Sequence, residues 1–336
     1  MNKKDELSYV GNLSQLGGAR HYELTDGWAR NLRAIDIESG SGLKYTIMPD
    51  RGMDISLASY KGTNLVYLTC NGETHPAFYE PENINWLHTF AGGLLTTCGL
   101  THIGGPATDE GEAYGLHSRY STIPAKQVAD LSEWIGDEYH IKIRGTTEEG
   151  RLFGDKLRLV REITTIMGQN KLRITDTITN FGNKPSPYAI LYHMNFGYPL
   201  LSEDAELIIL ADKTEPRDEN AIPGMNVFTK FIKPQSGYKE QVFFHTMKGN
   251  ELGETEASLV NKKLGIAVKI KFNIKSLPIL TEWKMMGIGE YVVGLEPCNV
   301  PGISRAQLKE KKLLPFLLPG ESTTNTVELE INEIHP

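Results

Sequence analysis

Two segments of the chain hold side chains suited to proton transfer within apolar, strand-like surroundings. The segment at 291–297 is an apolar run that reaches Glu296, and Pro297 biases that glutamate toward extended backbone. The segment at 188–198 holds His193 among aromatic and apolar residues. A carboxylate and an imidazole exchange protons near neutral pH, so the two segments indicate general acid–base chemistry.

Both residues also have a purely structural interpretation. For Glu296 taken alone, a solvated carboxylate at the end of a strand is the commoner case, since most acidic side chains are exposed. For His193 taken alone, a core histidine whose ring is hydrogen-bonded by its neighbours is commoner than a catalyst. Neither motif alone separates the two interpretations.

Other segments offer groups that could hold a ligand. His117 and Arg119 share a glycine-bounded turn, which suits contacts to hydroxyl or anionic groups, although a plain surface turn fits as well. Arg51 lies in an acidic turn at 48–54, where it would either bind an anion or form a structural salt bridge. Trp283 would stack on a ligand ring or pack in the core.

The stretch 84–118 combines glycine, threonine and three histidines, His88, His102 and His117, with apolar residues. It indicates either functional loops or a buried crossing segment. Together with His75, these histidines suggest one alternative, a divalent-metal site of a cupin-type sugar isomerase. The close H-x-H pairing of cupins is missing, so we expect no metal.

Several protein classes lack support in the sequence. The dinucleotide-binding, Walker A and G-x-S-x-G motifs are absent, which argues against nicotinamide, nucleotide and serine-hydrolase chemistry. The chain has three cysteines, Cys70, Cys98 and Cys298, and no C-x-x-C pair. Neither a disulfide framework nor a zinc knuckle is therefore indicated. Reduced cysteines predict a cytoplasmic protein.

Composition limits the partners. The 336 residues carry a net charge of −7 and no long basic run, which argues against nucleic acid. Hydrophobic residues make up 40% and charged residues 23%, as in ordinary globular proteins. No signal-like or membrane-spanning apolar run is present, so we expect no membrane partner. The oligomeric state is not predicted.

Short β-rich segments separated by turn formers predict an all-β fold in one continuous domain over residues 1–336. The predicted strands are 43–48, 64–68, 139–145, 157–166, 171–179, 206–210, 264–271, 291–296 and 325–331.

In chain order, these motifs resemble the aldose 1-epimerase (galactose mutarotase-like) superfamily, and most closely an uncharacterised branch known as a domain of unknown function. The resemblance covers roughly residues 30–332. Five segments show the resemblance. GLH at 115–117 resembles the segment with the first active-site histidine, and YHMNF at 192–196 resembles the segment with the second. ADK at 211–213 resembles the loop that follows, GLEP at 294–297 the segment with the catalytic glutamate, and LPGE at 318–321 the turn before the last strand.

The resemblance implies a β-supersandwich that binds a monosaccharide and interconverts its anomers without a cofactor. It implies Glu296 as general base at the anomeric hydroxyl, His193 as general acid at the ring oxygen, and His117 as a second sugar-contacting histidine. We expect mutual attraction to lower the pKa of Glu296 and raise that of His193. The remaining candidate substrate contacts are Arg51, Arg119, Trp283, His102 and Asp212.

The chain departs from the family pattern in one informative place. Usual mutarotases have two glycines after the first histidine, whereas Ser118 and Arg119 stand there in this chain. The arginines at 51 and 119 keep acidic and phosphorylated sugars among the candidate substrates. Besides the metal-dependent isomerase, a second alternative is a carbohydrate-binding module that keeps the fold without catalysis.

Overall fold

The computed structural model describes residues 3–334, which form mainly β-strands. The first strands are β1 (Gly18–Glu23), β2 (Arg33–Glu38), β3 (Leu43–Met48), β4 (Asp54–Tyr60), β5 (Thr63–Asn64), β6 (Thr96–Leu100), β7 (Ala107–Asp109), β8 (Glu112–Tyr114), β9 (Lys126–Asp130), β10 (Glu133–Ile135), β11 (Glu138–Gly150) and β12 (Lys156–Ile166). The later strands are β13 (Lys171–Asn180), β14 (Ser186–Pro187), β15 (Ala189–Phe196), β16 (Ala205–Ile209), β17 (Ala211–Pro216), β18 (Gln241–Met247), β19 (Glu254–Asn261), β20 (Ile266–Asn273), β21 (Ile279–Met286), β22 (Tyr291–Cys298), β23 (Phe316–Leu317) and β24 (Ser322–Glu333). The predicted all-β fold is confirmed.

Helices are short. Residues 3–334 contain two α-helices, α1 (Lys3–Tyr9) and α2 (Arg305–Glu310), and α2 begins with a capping box between Ser304 and Gln307. Among residues 3–334, no helix combines the length and the apolar character needed to cross a bilayer. Single 3-10 turns occur at Leu13–Gln15, Gly27–Ala29, Pro49–Arg51, Pro76–Phe78, Asn85–His88, Tyr120–Thr122 and Ile222–Gly224.

Three antiparallel sheets organise the strands. The first has five strands in the order β1-β2-β3-β4-β5. The second has nine strands in the order β10-β11-β12-β13-β24-β20-β19-β16, with β9 also pairing β11. The third has six strands in the order β17-β18-β21-β22-β15-β6. Two small two-stranded sheets, the hairpin β7–β8 and the long-range pair β14–β23, complete the arrangement.

The central strands of the six-stranded sheet are covered on both faces. Every residue of β15 is buried, as is nearly all of β22. A large core that includes Ile174 and Leu295 draws on the nine-stranded and six-stranded sheets. A second cluster, which includes Trp86 and Leu191, covers the opposite face of β15. Polar side chains on that face of β15 and β22 are therefore held away from bulk water.

Most predicted strands are present, with one clear error of extent. Predicted strands 43–48 and 157–166 correspond to β3 and β12. The prediction for 64–68 is wrong, because the ladder with β4 ends at Asn64. Beyond it, isolated bridges join Val66 to Phe196 and Leu68 to Gly92, so the chain changes partner within a few residues.

Candidate active site

His193 and Glu296 lie opposite each other on adjacent strands of the six-stranded sheet. β15 and β22 pair in antiparallel register with Met194 opposite Leu295, which sets the preceding His193 opposite Glu296. Residues opposite each other in such a pair project from the same face. Nε2 of His193 lies 3.1 Å from Oε1 of Glu296, and their side chains are only 7% and 2% exposed.

Two polar atoms of this Glu296–His193 pair have no hydrogen-bond partner. Within residues 3–334, Oε1 of Glu296 and Nδ1 of His193 are buried and unpaired. The 3.1 Å contact between the side chains therefore lacks the alignment of a hydrogen bond. Unpaired buried polar atoms are costly and uncommon, so these two atoms are candidates for contacts to a ligand.

Burial controls the protonation of the pair. Desolvation raises the pKa of Glu296 well above its ordinary 4.5, although the positive charge of Arg217 opposes the shift. Desolvation also lowers the pKa of His193 to about 4. The expectation that mutual attraction shifts both values the other way is wrong, because burial shifts each pKa against it. Burial thus favours the protonated carboxyl group and the neutral imidazole.

Aromatic rings enclose His193. Its ring centroid lies 5.4 Å from the rings of Phe90 and Trp283 and 5.8 Å from that of His117. Trp86 stacks on Phe90 at 4.5 Å and lies 5.0 Å from His117. These rings exclude water from the pair and present flat apolar surface, which suits a ring-shaped ligand with a polar edge.

The turn that carries His117 is held in a constrained conformation. His117 and Ser118 have φ values of 56° and 63°. The backbone N–H of Gly104 donates to Nδ1 of His117 at 3.4 Å, and Oγ of Ser118 donates to Oε1 of Glu149 at 3.3 Å. Burial lowers the pKa of His117 well below 6.5. The structure thus brings a neutral second imidazole to the pair.

Trp283 is held at its polar edge by residues that the sequence interpretation missed. Its Nε1 donates to Oε2 of Glu240 at 2.9 Å, and Oε1 of Glu240 accepts from Nη2 of Arg217 at 2.6 Å. Arg217 also donates from Nε to Asp218 at 2.8 Å. The resemblance includes the nearby segment at 211–213. Nothing in sequence spacing indicates that Arg217 and Glu240 meet at the indole.

The side chain of Arg51 forms hydrogen bonds with backbone carbonyls. Its Nη1 and Nη2 donate to the carbonyls of Thr74 and Thr89 at 2.8 and 2.9 Å, and its side chain is buried. Within the described residues, no hydrogen bond or ion pair joins Arg51 to Glu296 or His193. Because Thr89 precedes Phe90, Arg51 fixes the segment that carries the aromatic wall.

Within the described residues, no hydrogen bond or ion pair joins three other candidates, His102, Arg119 and Asp212, to the pair. His102 is fully buried, where its Nδ1 accepts from the backbone N–H of Arg305 at 3.3 Å and its ring lies 5.3 Å from that of Tyr114. Arg119 and Asp212 are exposed, and Asp212 lies at an irregularity between β17 and β18. Their predicted contacts with a substrate stay predictions.

The four histidines considered as metal ligands are dispersed. Nδ1 of His75 accepts from the backbone N–H of Ala77, and His88 lies 3.3 Å from a carboxylate oxygen of Glu80. His102 and His117 have the separate surroundings described above. In the part of the chain from residue 3 to 334, no three His, Cys, Asp or Glu side chains are grouped so that they could hold a metal ion.

Because Gly294 has no side chain, the carboxylate of Glu296 can occupy the space beside its Cα. Adding a single methyl group at Gly294 should therefore displace the carboxylate. A Cβ at Gly294 would lie 2.4 Å from Oε1 of Glu296 and 3.3 Å from Cε1 of His193. The Gly294→Ala variant is expected to fold, because a side-chain end can move, and to lose about 100-fold in turnover because the carboxylate is displaced. Steady-state kinetics beside a thermal melt would measure both.

Gly150→Ala is the matched control, since a Cβ at this strand glycine would meet only ordinary contacts, the nearest at 3.6 Å. Equal activity of the two alanine variants would contradict the importance of the carboxylate position.

Solved structures share this fold. A protein from Klebsiella pneumoniae, provisionally named an aldose 1-epimerase, is 26% identical with a TM-score of 0.90, over 100% of this chain and 87% of that chain. A galactose mutarotase-like protein from Clostridium acetobutylicum is 14% identical with a TM-score of 0.63, over 95% of this chain and 100% of that one. A galactose 1-epimerase from Lactobacillus acidophilus is 17% identical with a TM-score of 0.62, over the same shares of the two chains. The fold is therefore galactose mutarotase-like, as predicted.

The chain belongs to the DUF4432 family, described as a domain of unknown function, whose profile matches residues 29–331. Among curated proteins, none matches the chain significantly. The predicted superfamily and its uncharacterised branch are confirmed.

Proposed function

We propose that this protein binds a monosaccharide against the aromatic rings and interconverts its α and β anomers at the Glu296–His193 pair. The observation that carries the proposal is the buried contact of 3.1 Å between a carboxyl group and an imidazole that each keep an unpaired polar atom. Opening a hemiacetal needs one group to take the anomeric hydroxyl proton and another to protonate the ring oxygen.

The proposed cycle returns the pair to its starting state. Glu296 takes the proton of the anomeric hydroxyl while His193 gives a proton to the ring oxygen, and the bond from C1 to the ring oxygen breaks. The open-chain aldehyde rotates so that its other face is presented. The former ring hydroxyl then attacks C1, returns its proton to His193, and the new anomeric oxygen takes its proton from Glu296.

One proton on the pair is sufficient for this cycle. The neutral pair and the reactive ion pair hold the same number of protons and differ only in which of the two side chains carries the proton. Substrate hydroxyl groups that hydrogen-bond to the ionised form would shift the equilibrium toward it. Trp283 and Phe90 would contribute apolar contacts to the sugar ring and keep water out.

The proton count predicts a bell-shaped pH dependence of kcat/KM. Below about pH 4, His193 takes a second proton and the pair loses its base. Above the raised pKa of Glu296, the last proton leaves and the pair loses its acid. These two apparent values belong to the pair as a unit. The profile should be measured with the uncatalysed rate subtracted and circular dichroism recorded at each pH.

An acid limb near the ordinary imidazole value of 6.5, in protein that remains folded, would contradict this proton count.

The direct test is exchange NMR of anomer interconversion over a panel of neutral, acidic and phosphorylated sugars. Acceleration of one class by the wild type would establish the reaction and the substrate class together. Saturable sugar binding without acceleration would establish the binding-module alternative. Activity that disappears on chelation and returns with a divalent metal would establish the metal-dependent isomerase. Arg51 already donates to two backbone carbonyls, so we expect an anionic group of the substrate to bind elsewhere.

A further inference from the structure

Two charged side chains, Arg217 and Glu240, form an ion pair at the edge of the candidate site and are called the rim pair below. Nη2 of Arg217 lies 2.6 Å from Oε1 of Glu240. Their side chains are 33% and 45% exposed, so solvent reaches both. The second oxygen of Glu240 accepts from Trp283 at 2.9 Å, which connects the rim pair to the aromatic wall.

The strand register places the rim pair in line with the carboxylate. The backbone N–H of Arg217 donates to the carbonyl of Val242 at 2.8 Å. Val242 pairs with Trp283, and Trp283 pairs with Gly294. Gly294 in turn leaves the space where Oε1 of Glu296 lies. A single row therefore leads from Arg217, which follows β17, across the three strands β18, β21 and β22 to the carboxylate.

We propose that Arg217 and Glu240 act as positioning residues. Together they hold the indole of Trp283 in place, and their opposite charges bias the protonation of Glu296 in opposite directions. The effect of these residues on catalysis rests on the proposed function, in which Glu296 transfers a proton. A positive charge at the rim favours the ionised form of a nearby carboxyl group, and a negative charge there disfavours it. Consistent with this, the charge of Arg217 lowers the pKa of Glu296 and that of Glu240 raises it, both against the larger effect of burial.

Other titratable groups around Glu296 do not reproduce this arrangement. Burial keeps the thiols neutral, since it raises the pKa of Cys98 well above 9.0 and that of Cys298 to about 12. The two imidazoles are neutral near pH 7 for the same reason. The groups that face the carboxylate from the packed elements are His193, His117, Cys98, Cys298 and the rim pair.

A purely structural role makes a different prediction. If the rim pair only held Trp283, replacing either member would loosen the same indole and change activity in the same way. If it also sets the charge on Glu296, the two replacements move the pH profile in opposite directions. The sign of the shift therefore separates the two roles.

The test compares Arg217→Gln with Glu240→Gln. The alkaline limb of kcat/KM should move to higher pH in Arg217→Gln and to lower pH in Glu240→Gln, which makes the rates differ several-fold at a pH on that limb. ¹³C NMR titration of the Glu296 side-chain carboxyl should show the same opposite shifts without any substrate. Arg173→Gln is the control, because Arg173 pairs with Glu328 on the nine-stranded sheet, and it should leave both measurements unchanged.

Any result other than opposite shifts in folded variants overturns the inference. Opposite shifts in the NMR titration, together with wild-type protein that accelerates no sugar, would sustain the inference and overturn the proposed function. The two failures are thus distinguishable.

Discussion

Replacing Glu296 by glutamine is expected to lower the turnover of anomer interconversion by about 100-fold or more, because the amide cannot take the anomeric proton. The amide has nearly the same shape, so the aromatic walls and the strand pairing should persist. Glutamine also removes the energetic cost of a buried ionisable group, so stability should be equal or higher. Exchange NMR gives the turnover, and thermal unfolding gives the stability.

The chain supplies a matched control for Glu296→Gln. Glu282 on β21 is also fully buried, and its Oε2 lies 3.1 Å from Nε2 of His245. Glu282 adjoins Trp283, so its side chain projects from the opposite face of the sheet. Folded Glu282→Gln should retain turnover. Retained turnover in folded Glu296→Gln would refute the catalytic assignment of Glu296.

Replacing Arg161 by methionine is expected to lower the free energy of unfolding by about 3–5 kcal/mol, because two buried carboxylates lose their counter-ion. Arg161 is fully buried and donates to both oxygens of Asp176 at 2.9 and 2.7 Å. It also donates to Oδ1 of Asp54 at 3.0 Å. Denaturant unfolding followed by circular dichroism would measure the loss.

The same cluster supports the strand that carries His193. The hydroxyl of Tyr192 donates to Asp176 at 2.8 Å, and Asp54 accepts two hydrogen bonds from Thr97, which lies opposite Tyr192. Arg161→Met should therefore lose activity as well as stability.

Two further arginine variants make the stability prediction specific. Arg161→Lys should recover part of the stability, since lysine keeps the charge without the planar fork. Arg173→Met is the exposed control, because the Arg173 side chain is 60% exposed, and it should cost less than about 1 kcal/mol. Wild-type stability in Arg161→Met would contradict a stabilising role for the contacts of Arg161 with Asp176 and Asp54.

The strand β12, which is partly exposed on one face, could be predicted from the sequence, whereas β6, which is covered on both faces, could not. β12 alternates buried and partly exposed residues along its whole length, which is the pattern that sequence periodicity detects. β6 is buried at all five positions and lies within the stretch 84–118. That stretch was interpreted as loops or a buried crossing segment. A continuous apolar run does not by itself separate these from a strand.

The sequence alone determined the fold class, through alternation and turn formers, and it indicated Glu296 and His193 as an acid–base pair through their resemblance to family motifs. Tertiary structure decided that the two side chains share one face, because register between strands about a hundred residues apart depends on long-range pairing. It also set the direction of their pKa shifts, since burial disfavours the charged form of both groups. Finally, it directed Arg51 to backbone carbonyls and brought Arg217 and Glu240 to Trp283, because hydrogen-bond partners follow from packing and not from spacing along the chain.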